Sequence, residues 1–187
     1  MKNIIYLAWG SLLWDTKYLR LCGDSWEKTS LKFPLEFTRI SDKGRGRLTL
    51  VIDEENGTNV NVWERKANTK NLNVAIRRLM KRENTTVSKI SYYNAQTDKF
   101  RSNKISLGLM EKIKQWTIEK EYDAIIWTGL QSNWKRFRDV PYSLKDAMNY
   151  YEGSYEDVQK EIVEYVQNSY KIGHIETKFT KKLLSRI

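Results

Sequence analysis

The chain has almost no cysteine, histidine or proline. Of its 187 residues, one is cysteine (Cys22), one is histidine (His174) and two are proline. A single cysteine excludes an internal disulfide framework and any cysteine-clustered metal site. A single histidine excludes paired-histidine ligation and H-E-x-x-H chemistry. Two prolines and nine glycines are too few for a collagen-like, linker-rich or disordered chain. No apolar run approaches the roughly 18 residues of a membrane span. The semi-apolar start, Ile4 to Trp14, also lacks the charged lead, long apolar core and small-residue cleavage site of a secretory signal. These absences lead us to expect a soluble, cytoplasmic protein with no membrane partner.

What is present suits a packed domain. Hydrophobic residues make up 40% of the chain and charged ones 30%, which allows a real core. Seven tryptophans and eleven tyrosines point to packed structure or an aromatic-lined pocket rather than a charged tail protein. The length fits one domain over 1–187, with a basic helical C-terminal segment from about residue 154. Lys plus Arg is 33 against 23 for Asp plus Glu, a net charge of +10. That excess favours anionic partners without naming one.

Local patterns give the elements. Asn3 to Ala8, Phe33 to Ile40, Arg47 to Asp53, Asn59 to Glu64, Thr85 to Asn94 and Asp123 to Thr128 read as strands. Pro34 suits an edge position, and Asn56-Gly57 suits a hairpin turn. Leu72, Ala75, Ile76, Leu79 and Met80 recur at helical spacing, so Leu72 to Glu83 is predicted to be a helix; Leu107 to Glu121 is another. Ser143-x-x-Asp146 and Ser154-x-x-Asp157 resemble capping boxes that open a short helix near Leu144 to Tyr151 and a longer one to about Tyr170. Strands and helices mix without strict alternation. The expected fold is therefore α+β, with a small mixed β-barrel-like sheet and flanking helices.

Glu83 is the residue with chemistry in it. It lies seven positions after Ile76, four after Leu79 and three after Met80, which sets it on the apolar face of its helix. Burial and the negative end of the helix dipole would both raise its pKa toward that of a useful general base. Neighbouring Lys81 and Arg82 oppose this if they reach it. The alternative is a carboxylate that merely ends the helix in solvent. The Trp9-Gly10-Ser11 turn is the second candidate. A loop leaving a buried strand can aim backbone N–H groups at a carboxylate or oxyanion, and a glycine lets the backbone approach closely. The alternative is a tight turn with no ligand.

Other segments carry weaker signals. Arg65, Lys66, Lys70, Arg77, Arg78, Lys81 and Arg82 form one basic group without an acidic residue between them; Arg39, Lys43, Arg45 and Arg47 form another. They read as a solvated face, as steering for a small anion, or as a nucleic-acid surface. No helix-turn-helix, zinc-finger or RNA-binding aromatic signature supports the last of these. Gln131 to Asn133 reads as a polar surface turn after the strand containing Trp127. Glu64 is a reserve acid at an expected exposed strand edge, while His174 and Cys22 have no catalytic claim.

The start, Ile4-Ile5-Tyr6-Leu7-Ala8-Trp9-Gly10-Ser11-Leu12-Leu13-Trp14, resembles the Y-G-S-N/L-L-W signature of the gamma-glutamylcyclotransferase-like superfamily, especially its ChaC-type branch. Phe37-Thr38-Arg39-Ile40-Ser41 followed by Gly44-Arg45-Gly46-Arg47-Leu48-Thr49-Leu50-Val51 looks like that branch's second stretch. Leu79-Met80-Lys81-Arg82-Glu83 resembles the L-D-x-R-E segment that carries the family's catalytic glutamate. The resemblance covers roughly the first hundred residues, with the motifs in order. It implies a catalytic role for Glu83 and substrate contacts from Trp9, Gly10, Ser11, Leu12, Arg39, Ser41 and Tyr92. It implies no cofactor and no metal. The implied reaction releases 5-oxoproline from a small gamma-glutamyl amine or peptide, so the implied partner is that or another anionic small molecule. Two other readings stand beside it: a non-catalytic ligand-binding or interaction module of the same fold, and a basic nucleic-acid-associated protein.

Overall fold

The computed structural model describes residues 1–42, 45–102 and 104–187. In chain order the elements are β1 (Ile4–Ala8), a 3-10 turn (Gly10–Leu13), β2 (Glu27–Ile40), β3 (Leu48–Ile52), β4 (Thr58–Lys66), α1 (Leu72–Glu83), β5 (Ile90–Asn94), β6 (Lys99–Arg101), α2 (Leu107–Glu119), β7 (Ala124–Thr128), α3 (Trp134–Arg138), α4 (Leu144–Glu152), α5 (Glu156–Gly173) and α6 (Lys178–Leu184). The fold is mixed α+β, as expected, but the barrel-like sheet is not. The seven strands run in the order β3-β2-β4-β1-β7-β5-β6, so β3 and β6 are outer strands and the sheet is open. Closure would need the outer strands to bond each other. Instead the sheet ends at β6, three residues long and bearing Lys99 and Arg101, a short charged strand of the kind that guards an open edge.

The chain divides into two compact units. The first comprises Met1–Ala8, Asp15–Leu31 and Asn61–Leu130. Its centre is the parallel pair β1 and β7, in register from Ile4↔Ala124 to Tyr6↔Ile126. Both strands are near-continuous apolar runs, as strands covered on both faces must be, and every residue of β1 is buried. α1 lays Ala75, Ile76 and Leu79 on this core. The Asn71 side chain starts α1 by accepting from the N–H groups of Asn73 (2.9 Å) and Val74 (3.3 Å). Asn84, left-handed at φ 48°, ends it. The buried Tyr6 hydroxyl donates to the Ala75 carbonyl at 2.9 Å and fixes where α1 sits.

The second unit comprises Trp9–Trp14, Lys32–Val60 and Gln131–Ile187. Phe33, Leu35, Phe37, Leu48, Trp134, Ile162, Val166, Phe179 and Leu183 form its core. β2 is interior rather than an edge strand. Pro34 fits because it precedes the first β3 pairing, Leu35↔Ile52, and contributes its carbonyl, which accepts from Asp53 N–H at 2.8 Å. Ser143 caps α4 as its motif predicts, accepting from Asp146 N–H at 3.0 Å. Ser154 does not cap α5. Its hydroxyl donates to the Tyr150 carbonyl, and Tyr155 takes the cap position without a side-chain bond. Gln131–Asn133 has no regular secondary structure, in keeping with the expected polar loop, and Trp134 after it opens α3.

Candidate functional site

Glu83 is the last residue of α1, and its side chain is only 13% exposed. The helical spacing that sets it on the apolar face has buried it, so it does not end the helix in solvent. Its neighbour Arg82, 8% exposed at the side chain, donates from Nη1 to Glu83 Oε1 at 2.8 Å. Arg82 Nε donates to the backbone carbonyl of Asp15 at 2.9 Å, and Nη2 stands 3.9 Å from Asp15 Oδ2. All three residues belong to the first unit. Burial pushes the Glu83 pKa above the usual carboxylate range; Arg82 pulls it back by charge and hydrogen bond, and the Asp15 carboxylate adds to the rise. The result is a shielded carboxyl that holds a proton more readily than an exposed glutamate. A guanidinium anchored at its far side keeps it oriented.

Tyr92 also lies in the first unit, on β5. It pairs with Arg101, whose guanidinium carbon stands 4.7 Å from the centre of its ring. Trp9, Gly10, Ser11, Leu12, Arg39 and Ser41 belong to the second unit. Trp9 is core: 5% exposed, it meets Phe33 edge-on at 5.6 Å and donates from Nε1 to the Leu50 carbonyl at 3.3 Å. Leu12 is buried as well. Gly10 adopts φ +56°, a conformation glycine favours. Its close neighbour is the Tyr165 side chain on α5, and Ser11 N–H donates to the Tyr165 hydroxyl at 3.4 Å. The close approach that Gly10 allows is thus used within the chain, by a tyrosine 155 positions later.

Arg39 and Ser41 flank the end of β2. Arg39 Nη1 donates to the Gln131 carbonyl at 3.0 Å. Burial lowers the Arg39 pKa, with Asp42 opposing and the like charge of Arg136 assisting. Ser41 N–H donates to the Arg47 carbonyl at 2.9 Å. The Gln131–Asn133 stretch is stitched to the same strand end: Ser132 Oγ donates to the Thr38 carbonyl (2.9 Å), and Asn133 accepts from Ile40 N–H (2.8 Å) while donating to the Ile40 carbonyl (2.9 Å). Lys43 and Gly44, part of the second basic group and of the second resembling stretch, lie outside the described residues.

Much of the basic charge is engaged locally. Arg65 donates to the carbonyls of Cys22 (3.2 Å) and Gly23, Arg78 to Asn68 (3.0 Å), and Lys81 stands 4.3 Å from the centre of the Tyr18 ring. Arg47 lies 4.8 Å from the Tyr165 ring centre and 4.0 Å from Glu161. Arg65 and Arg78 so tie down loop carbonyls, and Lys81 and Arg47 cover tyrosine rings.

Two further carboxylates are buried: Glu64, the reserve acid, and Glu36, which no pattern singled out. Glu64 departs from the exposed edge expected of it. It is 7% exposed, accepts from the Tyr122 hydroxyl at 2.9 Å, and its buried Oε2 has no hydrogen-bond partner among the described residues. Burial raises its pKa, with Tyr122 and Lys120 opposing and Glu27 adding. Glu36 is fully buried and accepts from Phe37 N–H (2.9 Å) and Lys178 N–H (3.1 Å), with Thr177 and Phe179 adding donors. It holds down the first turn of α6. The alternation of β4 was the available signal for Glu64, which shares the inward parity of Val60 and Val62; Glu36 has the opposite parity to the inward Phe33, Leu35 and Phe37, and alternation gave no signal for its burial. Asp15, 68 positions before Glu83, had no such signal. Among the described residues no group of three or more His, Cys, Asp or Glu could hold a metal, and no helix is long and apolar enough to cross a membrane. Compared with protein-family models, with curated proteins and with solved structures, the chain finds no match.

Proposed function

We propose that the chain is a gamma-glutamyl cyclotransferase-like enzyme in which Glu83 is the general base. The observation that carries the reading is a buried carboxyl with a raised pKa at the end of α1. Its support in sequence is the Leu79–Glu83 segment and the two earlier motifs that resemble the superfamily. A gamma-glutamyl amine carries its α-nitrogen as an ammonium ion, which cannot attack. The Glu83 carboxylate accepts one proton from it. The freed amine adds to the side-chain carbonyl carbon and closes a five-membered ring. The ring nitrogen, which still carries two hydrogens after adding, releases its second proton to water, and the tetrahedral centre expels the attached amine, which takes the first proton from Glu83. Nothing is oxidised or reduced. The ring closure is intramolecular, so proximity supplies much of the rate and one well-placed proton carrier suffices. Arg82, braced by Asp15, fixes the carboxyl's orientation.

The test is mass-spectrometric detection of 5-oxoproline from a panel of gamma-glutamyl amines and dipeptides. We expect release from at least one substrate, and a fall of about 10²–10⁴-fold in Glu83→Gln with the fold intact. Full activity in Glu83→Gln, or no release from any member of the panel, overturns the reading.

A further inference from the structure

The second unit holds a concavity unrelated to Glu83. It is lined by Leu144, Lys145, Met148, Asn149 and Glu152 of α4, and by Lys182 and Arg186 at the end of the chain. The spacing explains why these residues share one groove. Leu144, Met148 and Glu152 recur every four residues along α4, and Lys182 and Arg186 repeat the same step on and just past α6. The two helices pack together, with Phe179 and Leu183 of α6 turned into the core. Met148 is 3% exposed and, with Leu144, forms an apolar floor. Glu152 and Arg186, both in the lining, form an ion pair. Lys145 and Lys182 are exposed, and neither ammonium has a carboxylate partner among the described residues. The lining therefore carries three cations against one anion, and that anion is already paired.

We infer that this groove binds a medium-chain carboxylate, its tail on Leu144 and Met148 and its head between Lys145 and Lys182. The volume is 250 Å³, room for about eight water-sized groups. That suits a short alkyl tail and is too small for a docked helix. A bare inorganic anion would leave the apolar floor exposed to water, and a neutral alkane would leave both ammonium groups unanswered. A tail ending in one carboxylate satisfies the two halves of the lining together. This inference stands independently of the cyclotransferase reading, because the groove contains none of that reading's residues.

The experiment titrates the full chain with octanoate, octanol and acetate, followed by calorimetry and by amide chemical shifts. We expect saturable octanoate binding with shifts concentrated over 144–152 and 178–186. Octanol has the tail without the charge and acetate the charge without the tail, so each should bind about tenfold or more weaker. Lys145→Glu/Lys182→Glu, both at exposed positions, should weaken octanoate by about tenfold or more. Lys112→Glu on α2 controls for the general positive charge and should change nothing. Octanoate binding unaffected by the double reversal, octanol binding as tightly, shifts centred elsewhere, or preference for an acidic helical peptide that octanoate cannot displace would each overturn the assignment.

Discussion

Replacing Gly10 by alanine tests a close approach in the second unit. At φ +56° an L side chain is strained, at about 1–2 kcal/mol. The added methyl would also lie inside the van der Waals envelope of the Tyr165 hydroxyl, 3.1 Å from Tyr165 Cζ and 3.6 Å from Leu50 Cδ1. Tyr165 has little freedom to yield. It is 7% exposed, edge-on to Trp14 at 5.5 Å and to Phe37 at 5.9 Å, with Arg47 over its face. Overpacking against such a ring costs about 1–3 kcal/mol. Stiffening of the unfolded chain returns about 0.5–1 kcal/mol. The net loss is about 3 kcal/mol, or a fall in Tm of about 6–12 °C for a chain of this size. Tyr165→Phe removes the hydroxyl and its 3.4 Å bond to Ser11 N–H, at about 1 kcal/mol or less. In that background Gly10→Ala should cost about 1–2 kcal/mol, because only the backbone strain and the Cζ contact remain. Urea unfolding of the two single variants, the double variant and the wild type measures the difference. An equal cost of Gly10→Ala in both backgrounds would show that the hydroxyl is not what the glycine accommodates.

Glu36→Ala should be strongly destabilising, by about 3–5 kcal/mol, because the Phe37 and Lys178 N–H groups lose their acceptor inside the core. Amide exchange over 178–184 should accelerate more than over α1, and uniform protection in the variant would refute the tie. Burial raises the pKa of Glu36, Glu64 and Glu83 alike. For these groups the folded state binds protons more tightly than the unfolded state. Their contribution to stability is therefore present at low pH and is lost as pH rises from the ordinary carboxylate range through the folded pKa. Glu64→Gln should make stability fall less steeply with pH over that window, and a slope identical to wild type would contradict the assignment. Asp15→Asn removes a negative neighbour of Glu83, so the acid limb of any pH–rate profile should move to lower pH; movement to higher pH would refute that role.

Elements with a strong local rhythm were legible. α1 begins at Leu72 and ends at Glu83, where its spacing and the Asn71 and Asn84 caps put it. β1 and β7 were readable as buried strands because both faces demand apolar side chains. Their parallel pairing was not, since nothing in either run encodes which strand lies beside it. The same holds for the open sheet. Closure depends on the two outer strands, and β6 is three residues whose pairing with β5 is set from Tyr92↔Arg101 to Asn94↔Lys99 rather than by apolar alternation. Ser154 shows the limit of a local motif. The Ser-x-x-Asp spacing was present, but the Tyr150 carbonyl one turn earlier offered its hydroxyl a partner, and the cap went elsewhere.

The candidate site divides along the same line. The position of Glu83 followed from periodicity, because helical geometry alone sets it above Leu79 and Met80. What makes it chemically distinct came from outside the helix. Asp15 reaches Arg82 from a segment 67 residues away, and that brace turns Arg82 from a free counter-ion into a fixed donor on Glu83 Oε1. Glu64 carries the reverse lesson. Read as an edge residue it should be solvated, but β4 lies between β2 and β1, so an inward glutamate there has protein on both sides. A carboxylate's environment is fixed by strand order, and strand order is a property of pairings that no local pattern records. A buried, oriented carboxylate in this fold is therefore recognisable from sequence only when one helix supplies both its burial and its orientation. Glu83 meets the first condition within α1 and owes the second to Asp15.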